Sequence, residues 1–533
     1  MFEMTGSVIA ACCGIILSVA GGSSLGIMQQ CGYKNRDYWR WLRRKDNLFY
    51  NRLSVLALML ALATAVVSLC FSFLSYAWSI GLAAATYLFL CLLFILASKK
   101  YALKVKVNCS GRVIRLYTLF ALLNVILAIA AFWGLKALAD WNGSEIYALI
   151  AYAPLALLPI CLPTTLLLAN AITGVFENAR NRKFVKRAGQ VLNETEIIRV
   201  GIVGSYGKTS VKNILKTILS EKYSVVETPE SYNTPMGIAK TVFSPEFAKK
   251  QIFIAEMGAR KAGDISELCT LVQPDYAIFT GVCEQHIATF ENLDAVWQEK
   301  SVILSSVQKK AVCGKSLRAP IENAGLSQEK ITYALDAENI TLGATETEFV
   351  LKLDGEDVHA KTRLLGKAAV ENIALAAALA KELGMSAEEI EQGISALQSI
   401  PHRLALIEQN GVYILDDGYN CNPVGAQEAI AALSRFEGGK CMVTPGIVEC
   451  GVLEEKINER LGQQIAKANL DKVILVGDTL VGAVKSGYAL AGGEATKLSV
   501  VKTLDLAQEE LSKWIKAGDC VLFMNDLPDV YIP

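Results

Sequence analysis

The chain has 533 residues, more than one ordinary domain, with 52% hydrophobic side chains and 52 basic residues against 52 acidic ones. A formal net charge of zero offers no broad cationic surface, so nucleic acid is excluded as a partner. Fourteen cysteines include the adjacent Cys12 and Cys13 but no C-x-x-C spacing, which excludes a zinc ribbon or dithiol redox motif and fits a reduced compartment.

In chain order, the apolar excess comes first. A helix needs roughly 20 apolar residues to cross a bilayer, and stretches near 6–28, 53–76, 78–98, 116–138 and 147–170 approach that length. They predict an α-helical transmembrane bundle of five helices over residues 1–175, with the lipid bilayer as partner. Basic residues near membrane ends stay on the cytoplasmic side. Lys34, Arg36, Arg40, Arg43, Arg44, Lys45 and Arg52 follow the first stretch, and Lys99, Lys100, Lys104, Lys106, Arg112 and Arg115 follow the third. This pattern predicts a multi-pass cell-membrane protein with its amino terminus outside and everything after the last span in the cytoplasm. Residues 176–194, with Arg180, Arg182, Lys183, Lys186 and Arg187, read as a basic juxtamembrane linker. A solvated helix is the plainer reading of it, and contact with anionic lipid or substrate is the other.

From residue 195 the composition becomes that of a globular α/β protein. The run IIRVGIVG reads as a strand, GSYGKTS as a glycine loop and VKNILKTILSEKY as a helix. In that context the G-x-x-G-K-T spacing of Gly204, Gly207, Lys208 and Thr209, with Ser205 and Ser210 beside them, predicts an ATP-binding phosphate loop. Glycines let backbone N–H groups approach phosphate oxygens, and the helix amino terminus adds its dipole. Lys208 then neutralises charge, and the Thr209 hydroxyl suits magnesium.

Further motifs follow in order: YNTPMG (232–237), IFIAEMGARKAGDI (252–265), IFTGVCEQHIATFENLDAVWQEKSVIL (278–304) and PHRLALIEQNGVYILDDGYNCNP (401–423). Together with GSYGKTS they resemble the Mur ligases, and the last resembles the branch that adds D-alanyl-D-alanine to peptidoglycan precursors. The resemblance implies a P-loop-like central domain over 195–398 and a Rossmann-like carboxy-terminal domain over 399–533. It also implies transfer of the ATP γ-phosphate to a substrate carboxylate, followed by attack of an amine on the acyl phosphate. Positioning and charge neutralisation dominate such chemistry.

The family's site residues carry over by motif. Glu256 would hold a magnesium ion with Thr209, while His286 and Lys300, the latter carbamylated, would hold a second. Arg403 would reach ATP phosphates when the last domain closes, making Lys208, Lys300, His286 and Arg403 the catalytic set. Asn372 and Asp417 would contact the nucleotide, and Asn233, Tyr419, Asn420 and Asn422 would line the substrate cleft. Two motifs depart from the pattern. GKAA (366–369) stands where the family usually reads Gly-x-His-Asn, and the end GDCVLFMNDLPDVYIP (518–533) lacks the Lys-Gly-Ser-Arg of the branch. The first bears on nucleotide choice and the second on the amine.

With spans in place of the usual uridine-sugar domain, the expected reaction joins an amino acid or peptide amine to a lipid-linked, membrane-presented peptidoglycan-type carboxylate. The alternatives are a poly-γ-glutamate or capsule-type ligase, and a non-catalytic ATP-binding scaffold working with other envelope-synthesis partners. Retention of Lys208, Thr209, Glu256, His286 and Lys300 together favours an enzyme over a scaffold.

Overall fold

A computed structural model describes residues 2–43, 107–141, 158–230, 232–283, 290, 292–326, 328–419, 421–448, 450, 453–478 and 480–525. The chain divides into two compact units, with the change at Asn181 and Arg182.

The first unit is helical. Helices Phe2–Ala20, Gly22–Gln30, Asn35–Leu42 and Gly111–Trp141 precede the long helix Leu158–Glu194. Their apolar residues build a core of their own around Leu17, Phe120, Phe132, Leu162 and Leu166. A buried polar chain crosses it: Thr165 Oγ1 donates to Asn124 Oδ1 at 2.8 Å, and Asn124 Nδ2 donates to Ser18 Oγ at 3.2 Å. Buried polar groups need such partners.

The expected membrane bundle does not hold. Among the described residues one helix, Gly111–Gly134, is long and apolar enough to cross a membrane, or two if the bent pair Ala10–Val19 and Ser24–Gln30 forms a single span. The stretches 53–76 and 78–98 lie outside the described residues, and 147–170 is described only from Leu158. The five-helix assignment and the multi-pass localisation therefore do not hold, and the membrane-presented substrate is left without support. The physical reason is that apolar composition does not distinguish lipid from protein as the solvent of a helix. Here part of it packs between helices, around Leu17, Phe120 and Leu166, while side chains such as Leu122, Ile126 and Leu168 stay exposed.

The second unit contains three sheets. The first is built from β1 (Ile198–Val203), β2 (Val225–Glu227), β3 (Ile252–Glu256), β4 (Tyr276–Phe279), β5 (Lys310–Cys313) and β6 (Ile331–Tyr333), in the order β2-β3-β1-β4-β5-β6. Every pairing in it is parallel. Parallel sheets bury both faces, and Val200, Ile202, Ile254 and Ile278 fill one core while Val203, Phe253, Ala255 and Phe279 fill the other. A three-stranded antiparallel sheet follows, from β7 (Asp336–Leu342), β8 (Thr347–Leu353) and β9 (Glu356–Thr362).

The third sheet comprises β10 (Ala405–Gln409), β11 (Val412–Asp417), β12 (Lys440–Thr444), β13 (Lys472–Val476), β14 (Leu498–Val501) and β15 (Cys520–Met524), in the order β10-β11-β15-β12-β13-β14. Among the described residues its one antiparallel pairing is the β10–β11 hairpin, whose turn residues Asn410 and Gly411 have φ of 53° and 76°. An Asn-Gly pair is what a two-residue turn of this hand requires. In both large sheets the chain leaves the carboxyl ends of parallel strands into loops, which is where open α/β sheets bind ligands.

Candidate active site

The phosphate loop leaves the end of β1 and enters the helix Lys208–Leu219 through Gly207, which has φ of 74°. Side chains do not fit here. A Cβ on Gly204 would lie 1.9 Å from Thr280 Oγ1, and one on Gly207 would lie 2.7 Å from Asn372 Oδ1. The loop is tied to the end of β4, where Ser205 N donates to Gly281 O at 2.8 Å. Ser210 follows in the first turn of the helix.

Two lysines meet on this loop. Lys208 Nζ donates to Gly204 O at 2.9 Å, and Lys300 Nζ donates to the same carbonyl at 2.9 Å and to Ser205 Oγ at 3.0 Å. Lys300 lies on the helix Leu293–Ser306 and is only 2% exposed. Burial lowers its pKa well below the usual lysine range, and neighbouring Lys208 lowers it further. The Lys208 pKa is also lowered, first by loss of water and then by Arg403, with Glu256 opposing.

Glu256 ends β3 and is buried. Its Oε2 accepts from Thr209 Oγ1 at 3.0 Å and lies 3.3 Å from Lys212 Nζ, while Oε1 accepts from Asn233 Nδ2 at 3.3 Å. Lys212, which the motif reading missed, also donates to Thr228 O at 2.7 Å and Glu230 O at 2.6 Å. Its signal was present: it follows Lys208 by one helical turn, on the face shared with Val211 and Leu215.

Thr209 and Glu256 bring hard oxygen donors together, and they fit a magnesium ion that takes its remaining ligands from water and phosphate. Among the described residues no group of three or more His, Cys, Asp or Glu side chains could hold a metal. The second metal position rested on His286, which lies outside the described residues, and on Lys300, whose amine points to the loop carbonyl.

The segment joining the central and last sheets brings in Arg403. His402 and Leu404 have φ of 59° and 52°, a left-handed backbone on either side of the arginine. Arg403 Nη2 comes within 3.5 Å of Thr209 Oγ1, and its guanidinium carbon sits 4.4 Å from the centre of the Tyr419 ring, a cation–π distance. Asp417 Oδ1 accepts from Leu404 N at 3.2 Å. Desolvation pushes the Asp417 carboxyl up to about 6, with Arg403 pulling the other way. His402 Nδ1 lies 2.8 Å from Asp416 Oδ2, which completes the clamp on the segment.

Asn372 and Asn422 have defined neighbours. Asn372, expected beside adenine, packs its amide against Gly207 of the phosphate loop. Asn422, expected in the substrate cleft, caps the helix Pro423–Leu433, its Oδ1 accepting from Val424 N and Gly425 N, each at 3.0 Å. Asn420 lies outside the described residues. At the departing GKAA segment, Glu428 Oε2 from the last domain accepts from Lys367 N at 3.0 Å, at the start of the central helix Lys367–Glu382. No motif flagged Glu428, because a cap donated by another domain leaves no local spacing in the sequence.

A parallel α/β domain with a phosphate loop, two lysines on that loop, an oxygen pair for magnesium and an arginine returned from a second domain defines a nucleotide-dependent ligase. Residues 202–380 match the Mur ligase middle domain and 402–526 the Mur ligase glutamate ligase domain, together more than half of the chain. The chain belongs to the Mur ligase family and is an ATP-dependent, ADP-forming carboxylate–amine ligase. It is 29% identical over 338 residues to the UDP-N-acetylmuramoyl-tripeptide–D-alanyl-D-alanine ligase of Bacillus subtilis (strain 168), spanning 61% of this chain and 72% of that protein. The enzyme of the same name from Escherichia coli (strain K12) is 26% identical over 292 residues, 52% of this chain and 64% of that one. The MurF ligase of Thermotoga maritima in complex with ADP shares the fold, with a TM-score of 0.58 and 24% identity over 65% of this chain and 80% of that chain.

Proposed function

We propose that the protein joins the amine of a D-alanyl-D-alanine-type dipeptide to the terminal carboxylate of a uridine-linked muramoyl-peptide precursor of peptidoglycan. The observation that carries this reading is the convergence of Lys208, Lys300 and Arg403 on one phosphate loop beside the Thr209–Glu256 pair. The names of the relatives and the segment DDGYNCNP (416–423) supply the substrate class.

In this reading Lys208 and the loop N–H groups hold the β- and γ-phosphates. Arg403 adds positive charge from the other domain where charge develops on the transferring phosphoryl group. Thr209 and Glu256 would hold magnesium, which neutralises phosphate charge. Asn233 orients Glu256, and Tyr419 orients Arg403. The carboxylate attacks phosphorus, ADP leaves, and the amine attacks the resulting acyl phosphate with expulsion of phosphate.

Lys300 is enclosed, and burial lowers its pKa, the direction that favours the neutral amine, which is the form that reacts with carbon dioxide. A carbamate there would convert one of two adjacent cations into an anion. Lys300→Ala is expected to lose turnover and to regain some with added short-chain carboxylates. Full activity in the unrescued variant would remove the carbamate from the mechanism.

The central experiment follows ADP release with magnesium, UDP-N-acetylmuramoyl-tripeptide and a panel of D- and L-amino acids and dipeptides, with product masses determined. Release that needs both the tripeptide and D-alanyl-D-alanine, with the mass of the joined product, is the expected result. Release driven by another amine, or by no uridine-linked acceptor, sinks this assignment.

A further inference from the structure

Lys212, one helical turn beyond Lys208, has no part in the phosphate chemistry described above. Its side chain is 1% exposed, and three oxygens surround its Nζ: Glu230 O at 2.6 Å, Thr228 O at 2.7 Å and Glu256 Oε2 at 3.3 Å. One carboxylate and two backbone carbonyls are also a donor set that suits a hard metal cation. The ammonium therefore occupies a position built for positive charge.

The oxygens are held from several sides. Thr228 is fully buried, its N donates to Ile254 O at 3.0 Å, and its Oγ1 accepts from Glu256 N at 3.0 Å. Glu230 has φ of 39°, a left-handed backbone that a non-glycine residue keeps only where surrounding contacts fix it. Further along the same segment, Asn233 Nδ2 donates to the other carboxylate oxygen, Glu256 Oε1, at 3.3 Å, and Asn233 O accepts from Gly258 N at 2.9 Å. The chain after β2 thus wraps Glu256, and Lys212 ties the two together.

Charge decides what this arrangement does. The carboxylate that fits magnesium together with Thr209 already has the Lys212 cation 3.3 Å away, and Lys208 and Arg403 bring two more cations to the same edge. Like charges repel strongly where water is excluded. A divalent ion that enters ahead of phosphate meets that repulsion on a carboxylate whose charge is already matched. Magnesium is commonly held by one or two carboxylates plus substrate phosphates, and here the phosphates supply the negative charge that Glu256 alone does not.

We infer that the Lys212 ammonium is a built-in cation that cancels the charge of Glu256 until nucleotide arrives, so that the site takes its metal only together with polyphosphate. Lys212 is then a positioning residue that acts through Glu256. The inference rests on the nucleotide part of the reading above, and neither the amine nor the acceptor enters it.

The test counts free Mn²⁺ by electron paramagnetic resonance as the ion is titrated into nucleotide-free protein. Wild type should bind it more weakly than about 1 mM, the loose end of protein-only cation sites. Lys212→Ala leaves the three oxygens without their cation and gives an ion room, and it should bind one Mn²⁺ about tenfold more tightly or better, as removal of one close like charge implies. Lys212→Met keeps the side-chain volume and should shift in the same direction. Adding Glu256→Gln to either variant should abolish the gain, which a general loosening of the fold would not do. Tight Mn²⁺ binding by nucleotide-free wild type overturns the inference, as do variants with the circular dichroism of wild type that bind no better than it does. If neither variant folds, wild type decides: Mn²⁺ retained by the protein on dialysis only with ADP supports the inference, while retention without ADP, or none with it, rejects it. Failure of ADP to bind wild type in calorimetry, with or without Mn²⁺, removes the nucleotide reading separately, and the nucleotide-free titrations of the variants still decide the role of Lys212.

Discussion

The carboxyl ends of the first and third sheets hold charges of opposite excess. At the ends of β1 and β3, Lys208 and Lys300 meet on the Gly204 carbonyl, while Lys212 pairs with the one carboxylate there, Glu256. At the end of β11, Asp416 and Asp417 stand together, with Arg403 between the two edges. A buried charge is costly unless paired. The first edge is therefore built for an anion not supplied by the protein, whereas the second satisfies its acids internally, on Leu404 N and His402. One edge binds phosphate, and the other fixes the segment that carries Arg403 over it.

The comparison breaks most sharply at Lys208. Lys208→Met should reduce ADP formation about 10³-fold, at the upper end of what one transition-state charge contact supplies. It should also shrink the rise in Tm that ATP gives the wild type, because that rise is a binding linkage. Differential scanning fluorimetry with and without nucleotide separates the two effects. A normal nucleotide-induced shift with normal turnover would show that the lysine excess has no phosphate role.

The second edge has its own signature in pH. Asp417 has its carboxyl raised to about 6 from the usual 3.8, so the folded state holds this proton more tightly than the unfolded chain. Its contribution is fully present below about pH 4 and is lost as pH rises through about 6. Asp417→Asn removes this loss. Relative to wild type, the variant should gain stability between pH 4.5 and pH 7, by no more than about 3 kcal/mol at about 1.36 kcal/mol per unit. Urea denaturation at the two pH values measures it, and a constant difference would show that Asp417 titrates normally.

The two edges were not equally legible in the sequence. The phosphate loop, Lys208, Thr209 and Glu256 could be read because strand, glycine turn and helix are contiguous, and an acid at the end of an apolar strand must face the crevice. The sheets of the second unit also follow from short β-branched runs such as IRVGIV and KVILV. Lys212 was hidden by its ordinary place in an amphipathic helix, and Glu428 by acting across domains. The cap role of Asn422 was legible but passed over: a Pro at the next position marks a helix start, and Oδ1 accepts from Val424 N and Gly425 N there. The apolar first unit misled most, since the same side chains that suit lipid also suit Leu166 packed among Leu17 and Phe120.

The link between the edges is Arg403, and its removal is the next smaller effect. Arg403→Met should lower turnover about 10²-fold with little change in folding stability, since among the described residues the guanidinium's hydrogen bond and ring contact are with Thr209 and Tyr419. Tyr419→Phe keeps a ring beneath the guanidinium and should retain most activity, while Tyr419→Ala should fall between wild type and Arg403→Met. If Tyr419→Ala equals wild type, the ring does not position the arginine.

The smallest effect concerns Asn422, and it separates a scaffold role from a cleft role within the second edge. With its Oδ1 held by Val424 N and Gly425 N, Asn422→Ala should cost about 1 kcal/mol of stability, the usual loss of an amino-terminal helix cap. Asn422→Asp and Asn422→Ser keep a side-chain acceptor and should restore that stability. If Asn422 serves only as a cap, KM for the dipeptide follows stability across the three variants and recovers in Asp and Ser alike. A KM that stays high in the Ser and Asp variants after stability has returned would mean that the amide itself touches substrate, and the second edge would then be part of the binding surface as well as its support.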